Sequence, residues 1–294
     1  GDKKFNPSIS YVQPDPINLV NNSRFRIYLW FRAKGPSYVY KEEMTITQSI
    51  YFNIHFKRKQ SIEKVMELNK KIQDFFSLAM STPVATIEMG FRKDSLNAQK
   101  KKGVPKLSGN IIYPDPVRAS SDKVSIRDML ISYESMKEGA ENFLELWLQM
   151  YEEMSPVIRL YMDTRTNPSI SKHTRFLNLI FALEAYHKNK INAQRQNLTP
   201  RLNDLLKRHS YLTKYFYKTR ESFVNRIVKS RNYFVHNGDV DKRYLIKEDK
   251  LNEYSFKMRL LLEAILLTEM GFPKKTVYER IKSVHQYSVF MSFK

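Results

Sequence analysis

Arg231, Asn232 and His236 are the residues whose types and spacing could handle a phosphate and a proton together, and they lie in the stretch KSRNYFVHNGD at 229–239. On a wheel at roughly 100° per residue, the segment 220–237 gathers Phe223, Val224, Ile227, Val228, Phe234 and Val235 into one apolar stripe, with Arg231 near its centre. A guanidinium is rarely placed on a core-facing stripe unless it is paired or the stripe lines a cavity or an interface. Asn232 and His236, four apart, stack on the adjoining face within reach of a common ligand. His236 falls in the last helical turn, ahead of Asn237 and Gly238 as a C-terminal cap. The negative end of the helix dipole favours imidazolium there, a form that can donate to a leaving group or a phosphate. The planar fork of the arginine matches phosphate oxygens. The plainer alternative is a structural helix end, with Arg231 paired to a carboxylate and His236 capping carbonyls.

The surroundings add charge. Between 188 and 231 twelve basic side chains, among them Lys188, Lys190, Arg195, Arg226 and Lys229, stand against two acidic ones, Asp204 and Glu221. So lopsided a ratio favours a track for a phosphate backbone over a merely solvated face. Tyr211, Tyr215, Phe216 and Tyr217 are interleaved with it; such rings stack on bases or pack in a core, and Phe216 is assigned to the core. Fifty Lys and Arg against thirty Asp and Glu give the 294-residue chain a formal charge of +20, the sign that attracts nucleic acid or anionic lipid, and nucleic acid is the favoured partner.

Glu184 and His187, three apart on one helix face, either support the site from behind or form an ordinary polar pair. His187 has no partners at a recognised metal-ligand spacing, and the lack of cysteine excludes thiolate nucleophiles, disulfides and Cys-containing zinc sites. No metal and no cofactor is expected. His55, His173, His209 and His285 read as surface residues. The cysteine-free composition fits a cytoplasmic protein, and no apolar run approaches the length of a membrane span. The start, GDKKFNPSIS, has neither a signal-peptide core nor an initiator Met, so Gly1 reads as a processed end, an expression scar or the edge of a fragment.

The elements that must position these residues divide the chain in two. MTITQSIYFNIHF at 44–56 alternates, with Met44, Ile46, Ile50, Phe52, Ile54 and Phe56 on one face, as in a half-buried strand. Further strands are expected at 25–33, 84–91 and 110–113, and a helix at 61–80. The turn-rich PDPVRASSDK at 114–123 marks a boundary between an α+β domain, 1–120, and a helical bundle, 124–294. Ser135 and Glu138 form a capping-box pattern ahead of a helix running to about Met154 and broken at Pro156. Helices follow at 171–188, 200–209, 220–237, 251–270 and after Pro273. The stretch 260–267 is apolar nearly all round, which means deep burial or a dimer seam. KKK at 100–102 suggests a mobile loop.

At RNYFVH the sequence resembles the HEPN domain family, whose signature is Arg, a polar residue, three variable residues and His. The following NGD, with FLNLIFALEAYHK at 176–188 and the downstream helix LLLEAILLTEM, is similar to the Apea-like HEPN branch, and the resemblance covers roughly 124–294. It implies an all-α HEPN helical bundle that cleaves RNA without a metal, as toxin and phage-defence proteins do, with two copies pairing so that both motifs meet in one cleft. His236 would then act as general acid or base, Arg231 as phosphate clamp, and Asn232 as the residue orienting one of them. The basic side chains become an RNA track, and the partners are RNA and a second copy of the chain, with no membrane. The amino-terminal domain resembles the sensor or ligand-binding part of that family without carrying a specific motif. Two readings stand beside the nuclease: a HEPN module that binds RNA or dimerises without cutting, and, third, a binder of double-stranded DNA.

Overall fold

The computed structural model describes residues 10–35, 46–93, 107–112, 115, 117, 124–132, 134, 140–236, 241–284 and 287. An α+β part comes first. Strands β1 (Ile17–Asn21), β2 (Phe25–Lys34) and β3 (Thr47–Phe56) form an antiparallel sheet in the order β1-β2-β3, and β4 (Met89–Lys93) pairs with β5 (Leu107–Ile111) as a separate ribbon. The strand expected at 84–91 is confined to its end, because only residues from Met89 onward find a partner strand. β1 has no clean alternation. Its register shifts between Asn18 and Val20, and the bulge lets both Leu19 and Val20 be buried.

On β3 the expected apolar face is covered only in part. Ile54 and Phe56 pack against the core, whereas Ile50 and Phe52, further along the ribbon, are 56% and 41% exposed. An apolar face is buried only where another element lies over it.

Helix α1 (Ile62–Ala79) joins this part to the first half of α2 (Ala140–Thr166). Trp147, fully buried, donates its indole N–H to the Lys71 carbonyl at 2.7 Å, and Tyr151 donates to the buried carboxylate of Asp74 at 3.0 Å. Pro156 does not end α2, as the sequence suggests. The backbone leaves helical geometry at Met154 and the helix resumes to Thr166. A mid-helix proline costs about 3 kcal/mol. The buried side chains Met154, Val157, Ile158, Tyr161 and Met162 offset that cost by holding the second half in the core. The capping-box pair Ser135 and Glu138, and the lysines at 100–102, lie outside the described residues.

The rest is helical: α3 (Lys172–Tyr186), α4 (Leu198–Arg208), α5 (Arg220–His236), α6 (Leu251–Glu269) and α7 (Lys274–Ser283). Ser171 caps α3 by accepting from the Thr174 N–H at 3.0 Å. α6 is the central helix. Leu260 through Leu267 are all buried, so its all-round apolar surface serves packing against α2, α3 and α7. Within it Glu263, fully buried, accepts from the Tyr161 hydroxyl at 2.8 Å.

His209 is not a surface residue. The turn at Ser210–Thr213 folds the chain back over the end of α4 and leaves His209 6% exposed, beside the Tyr211 hydroxyl at 3.2 Å. Burial, with the nearby Lys274 and Arg208, pushes its pKa down to about 4. The folded protein therefore keeps the ring neutral where the unfolded chain protonates it. This contribution to stability is complete above about pH 6.5 and is lost as pH falls towards 4, at about 2–3 kcal/mol for the whole window. Thermal unfolding at pH 7 and pH 4.5 tests it. His209→Gln should show a shallower fall than the parent; an identical fall would assign the loss to carboxylates instead. His55 is exposed, as expected, and His285 lies outside the described residues.

Candidate active site

The motif helix α5 packs on α4 and α3 through Phe223, Val224, Ile227 and Ser230, all buried. Ser230 appears in this line because its Oγ accepts the Ile246 N–H at 2.8 Å, tying the returning chain to the helix. The buried line fades towards the C-terminal end of α5, where Val228 and Phe234 are half-buried and Val235 is 40% exposed.

Arg231 continues this stripe one turn beyond Ile227, where the burial fades. Its side chain is 21% exposed and reaches α3, where Nη2 meets Glu184 Oε2 at 3.5 Å and the guanidinium carbon lies 5.6 Å from the centre of the Phe181 ring. Nη1 donates to Asn232 Oδ1 at 3.1 Å. Nε is buried without a hydrogen-bond partner. A guanidinium has five N–H donors. Two of them are engaged here, so the fork is oriented yet still has donors to give.

Asn232 and His236 are exposed on the face next to it. His236 is the last residue of α5, and the cap residues Asn237 and Gly238 lie outside the described residues. A second imidazole, His173, is near this end: it packs edge-on to Phe234 at 4.6 Å and pairs with Glu248 at 3.1 Å. Sequence spacing had no means of finding it, since it comes from the first turn of α3.

Glu184 and His187 part company. Glu184 faces Arg231, whereas the ring of His187, 2% exposed, lies between Asp204 Oδ2 at 3.1 Å from Nε2 and Arg201 Nη1 at 3.0 Å from Nδ1. A guanidinium can only donate, so Nδ1 accepts and Nε2–H donates to Asp204. Both ring nitrogens are used. His187 itself is still in helical geometry, with the π-helical turn His187–Ile191 only beginning there, so the separation comes from the partners: Arg201 and Asp204 of α4 hold the His187 ring, and Arg231 of α5 meets Glu184.

A family model for ApeA N-terminal domain 1 matches residues 1–147, and one for Apea-like HEPN matches residues 164–276. This chain joins an ApeA N-terminal domain 1 to an Apea-like HEPN domain. No curated protein and no solved structure matches it. The HEPN match contains Glu184, Arg231, Asn232 and His236; the first match ends at 147 and the second begins at 164, both within α2, the helix that packs on both parts.

Around this HEPN site the basic side chains are in different states. Lys188 and Arg195 are exposed, and Lys190 is ion-paired with Glu153. Arg201 is buried and donates to the carbonyls of Asn192 and Gln194 at 3.0 and 2.8 Å, so it shapes the loop carrying Arg195 instead of facing solvent. On α5, Arg226 donates to the Leu245 carbonyl at 3.2 Å and the Lys229 ammonium lies 3.6 Å from the centre of the half-exposed Tyr244 ring. Of the interleaved aromatics, Phe216 is buried, Tyr217 packs on Phe223 and Tyr215 on Tyr278. Among the described residues no helix is long and apolar enough to cross a membrane.

Proposed function

We propose that this HEPN protein is a metal-independent endoribonuclease acting in toxin or phage defence within the cytoplasm, with its site completed by a second copy of the chain. The observation that carries the reading is Arg231: held by a 3.5 Å contact to Glu184 and a 3.1 Å hydrogen bond to Asn232, with donors left over, near the end of a helix that finishes on an exposed histidine. In the reaction, the ribose 2′-OH attacks its own phosphorus and the O5′ bond breaks. The 2′-OH proton goes to one imidazole while a proton is delivered to O5′, leaving a 2′,3′-cyclic phosphate and a 5′-OH. Arg231 would neutralise the charge growing on the non-bridging oxygens, with Asn232 fixing its fork. One chain offers one His236; pairing across a two-fold axis supplies an acid and a base. The division at 120–124 belongs to the same proposal, with 1–120 as the sensing unit and 124–294 as the HEPN unit.

The test is incubation of the purified protein with total RNA in EDTA, followed by end-group analysis and light scattering. Cyclic phosphate ends and a dimer mass are expected. Intact RNA, or a monomer that cuts, would overturn the reading. The Glu184–Arg231 pair also favours a second reading, a HEPN module that binds RNA or dimerises without cutting; RNA retained and uncleaved by a dimer would select it.

The basic side chains are expected to govern affinity and not chemistry. Reversing the charge of Lys188, Lys190, Arg195 and Lys229 together should flatten the dependence of RNA affinity on salt, since each neutralised phosphate releases about one counterion. Cleavage at saturating RNA should persist. An unchanged salt slope in filter-binding titrations would mean that RNA enters elsewhere.

A further inference from the structure

Away from the HEPN site, the junction of the β1–β2 turn, the end of β3, α1 and α2 lines a half-open cavity of about 570 Å³. That volume lies within the range of small-molecule sites, roughly 300–1,000 Å³. Three cations line it from three separate pieces of chain: Arg24 before β2, Arg58 after β3, and Lys64 in the first turn of α1. All three are exposed, and none forms an ion pair with a carboxylate among the described residues. The floor is apolar, made by Phe25, Phe56, Leu68 and Leu148, and the Arg24 guanidinium carbon stands 5.6 Å from the centre of the Phe25 ring.

The fourth cation of the cavity is already committed. Lys71 reaches Glu67 at 2.8 Å and Glu152 at 2.5 Å. Burial disfavours its charge, but the two carboxylates outweigh that and raise its pKa. A neighbouring cavity of about 530 Å³ beyond this triad shows the contrast, for there Lys70 is paired with the buried Asp74. The first cavity combines an apolar floor, three cations outside any ion pair and two carboxylates, Glu67 and Glu152, with oxygens left to accept hydrogen bonds; Lys64, three residues before Glu67 on α1, helps to hold that carboxyl's pKa down.

We propose that this cavity binds a phosphorylated small molecule of the nucleotide class. Three cations converging from different elements suit a ligand with more than one negative charge, since a single carboxylate would leave two of them unmatched. The apolar floor suits a flat ring, and Glu67 and Glu152 suit the amino and hydroxyl groups at its edge. Arg24, Arg58 and Lys64 take the phosphates.

The experiment is calorimetric titration of the full chain, at about 0.15 M salt, with ADP, GDP, CDP and UDP, and with adenosine, inorganic pyrophosphate and a short single-stranded RNA. At least one diphosphate should bind with a micromolar Kd, and its nucleoside and pyrophosphate at least about tenfold more weakly. Arg24→Glu with Lys64→Glu, or Arg58→Glu alone, should weaken the diphosphate at least about tenfold. These residues are exposed, so thermal unfolding should be little changed. Lys188→Glu with Arg195→Glu should leave nucleotide binding intact. So should Arg231→Ala, which keeps this site distinguishable from the nuclease reading. The proposal is overturned by nucleoside binding as tight as that of its diphosphate, by full affinity in the charge-reversed variants, or by no binding of any diphosphate at millimolar concentration. RNA binding that depends on Arg24 and Lys64 without any nucleotide binding would overturn it too, making the cavity part of a nucleic-acid path.

Discussion

His236→Ala is expected to lower single-turnover RNA cleavage by about 10²–10⁴-fold, the range over which a positioned proton-transfer group accelerates a reaction. The fold should survive. His236 is an exposed residue at the end of α5, and among the described residues it makes no hydrogen bond whose loss would leave a buried group unmatched. A surface substitution of this sort changes stability by about 0.5 kcal/mol or less. Mixing His236→Ala chains with wild-type chains sharpens the result. If acid and base come from two copies, mixed dimers are inactive, and activity falls with the square of the wild-type fraction instead of in proportion to it. Undiminished cleavage by a clean His236→Ala preparation would remove the residue from the mechanism.

Arg231→Ala is expected to lower cleavage by about 10²–10³-fold even at saturating RNA, as loss of one oriented donor to a developing oxyanion does. Its structural contribution is small by comparison. The contact to Glu184 is long and partly solvated, and the guanidinium lies at the outer limit of useful distance from Phe181. Together these amount to about 1–2 kcal/mol. Glu184→Gln separates the two roles, because it removes the partner's charge but keeps an oxygen to accept from Nη2. A residue that only braces two helices would give equal losses in Arg231→Ala and Glu184→Gln. A phosphate clamp gives a large loss in the first and less than about tenfold in the second. Melting temperatures measured alongside the rates would show whether stability accounts for either.

The extent to which this was legible in sequence differs from element to element. α5 was readable nearly to the residue, expected at 220–237 and found at Arg220–His236, because a helix with one buried face declares its period locally. α6 was readable as apolar all round, but its role was not: burial against α2, α3 and α7 or exposure at a dimer seam would have produced the same pattern. β1 is not legible in sequence, because its bulge buries Leu19 and Val20 side by side and breaks the alternation by which a strand is recognised. In sequence Pro156 reads as a stop, since the local penalty is all that a sequence displays; the compensating burial of Val157, Ile158 and Tyr161 comes from the fold.

By itself, then, the sequence determined the order of an α+β part before a helical bundle, the composition of the motif helix, and the placing of Arg231, Asn232 and His236 at its end. Those features depend on neighbours three or four residues away, which a chain carries wherever it goes. Only the tertiary structure decided that Glu184 of α3 would meet Arg231, that Phe181 would lie under its guanidinium, and that His187 would turn from Glu184 to Asp204 and Arg201. It also decided that His209 would be buried and that Arg24, Arg58 and Lys64 would converge on one cavity. Such pairings join residues far apart along the chain, and nothing local favours one distant partner over another. They become favourable only once packing has met the entropy cost of closing the chain between them, and that packing is a property of the whole fold.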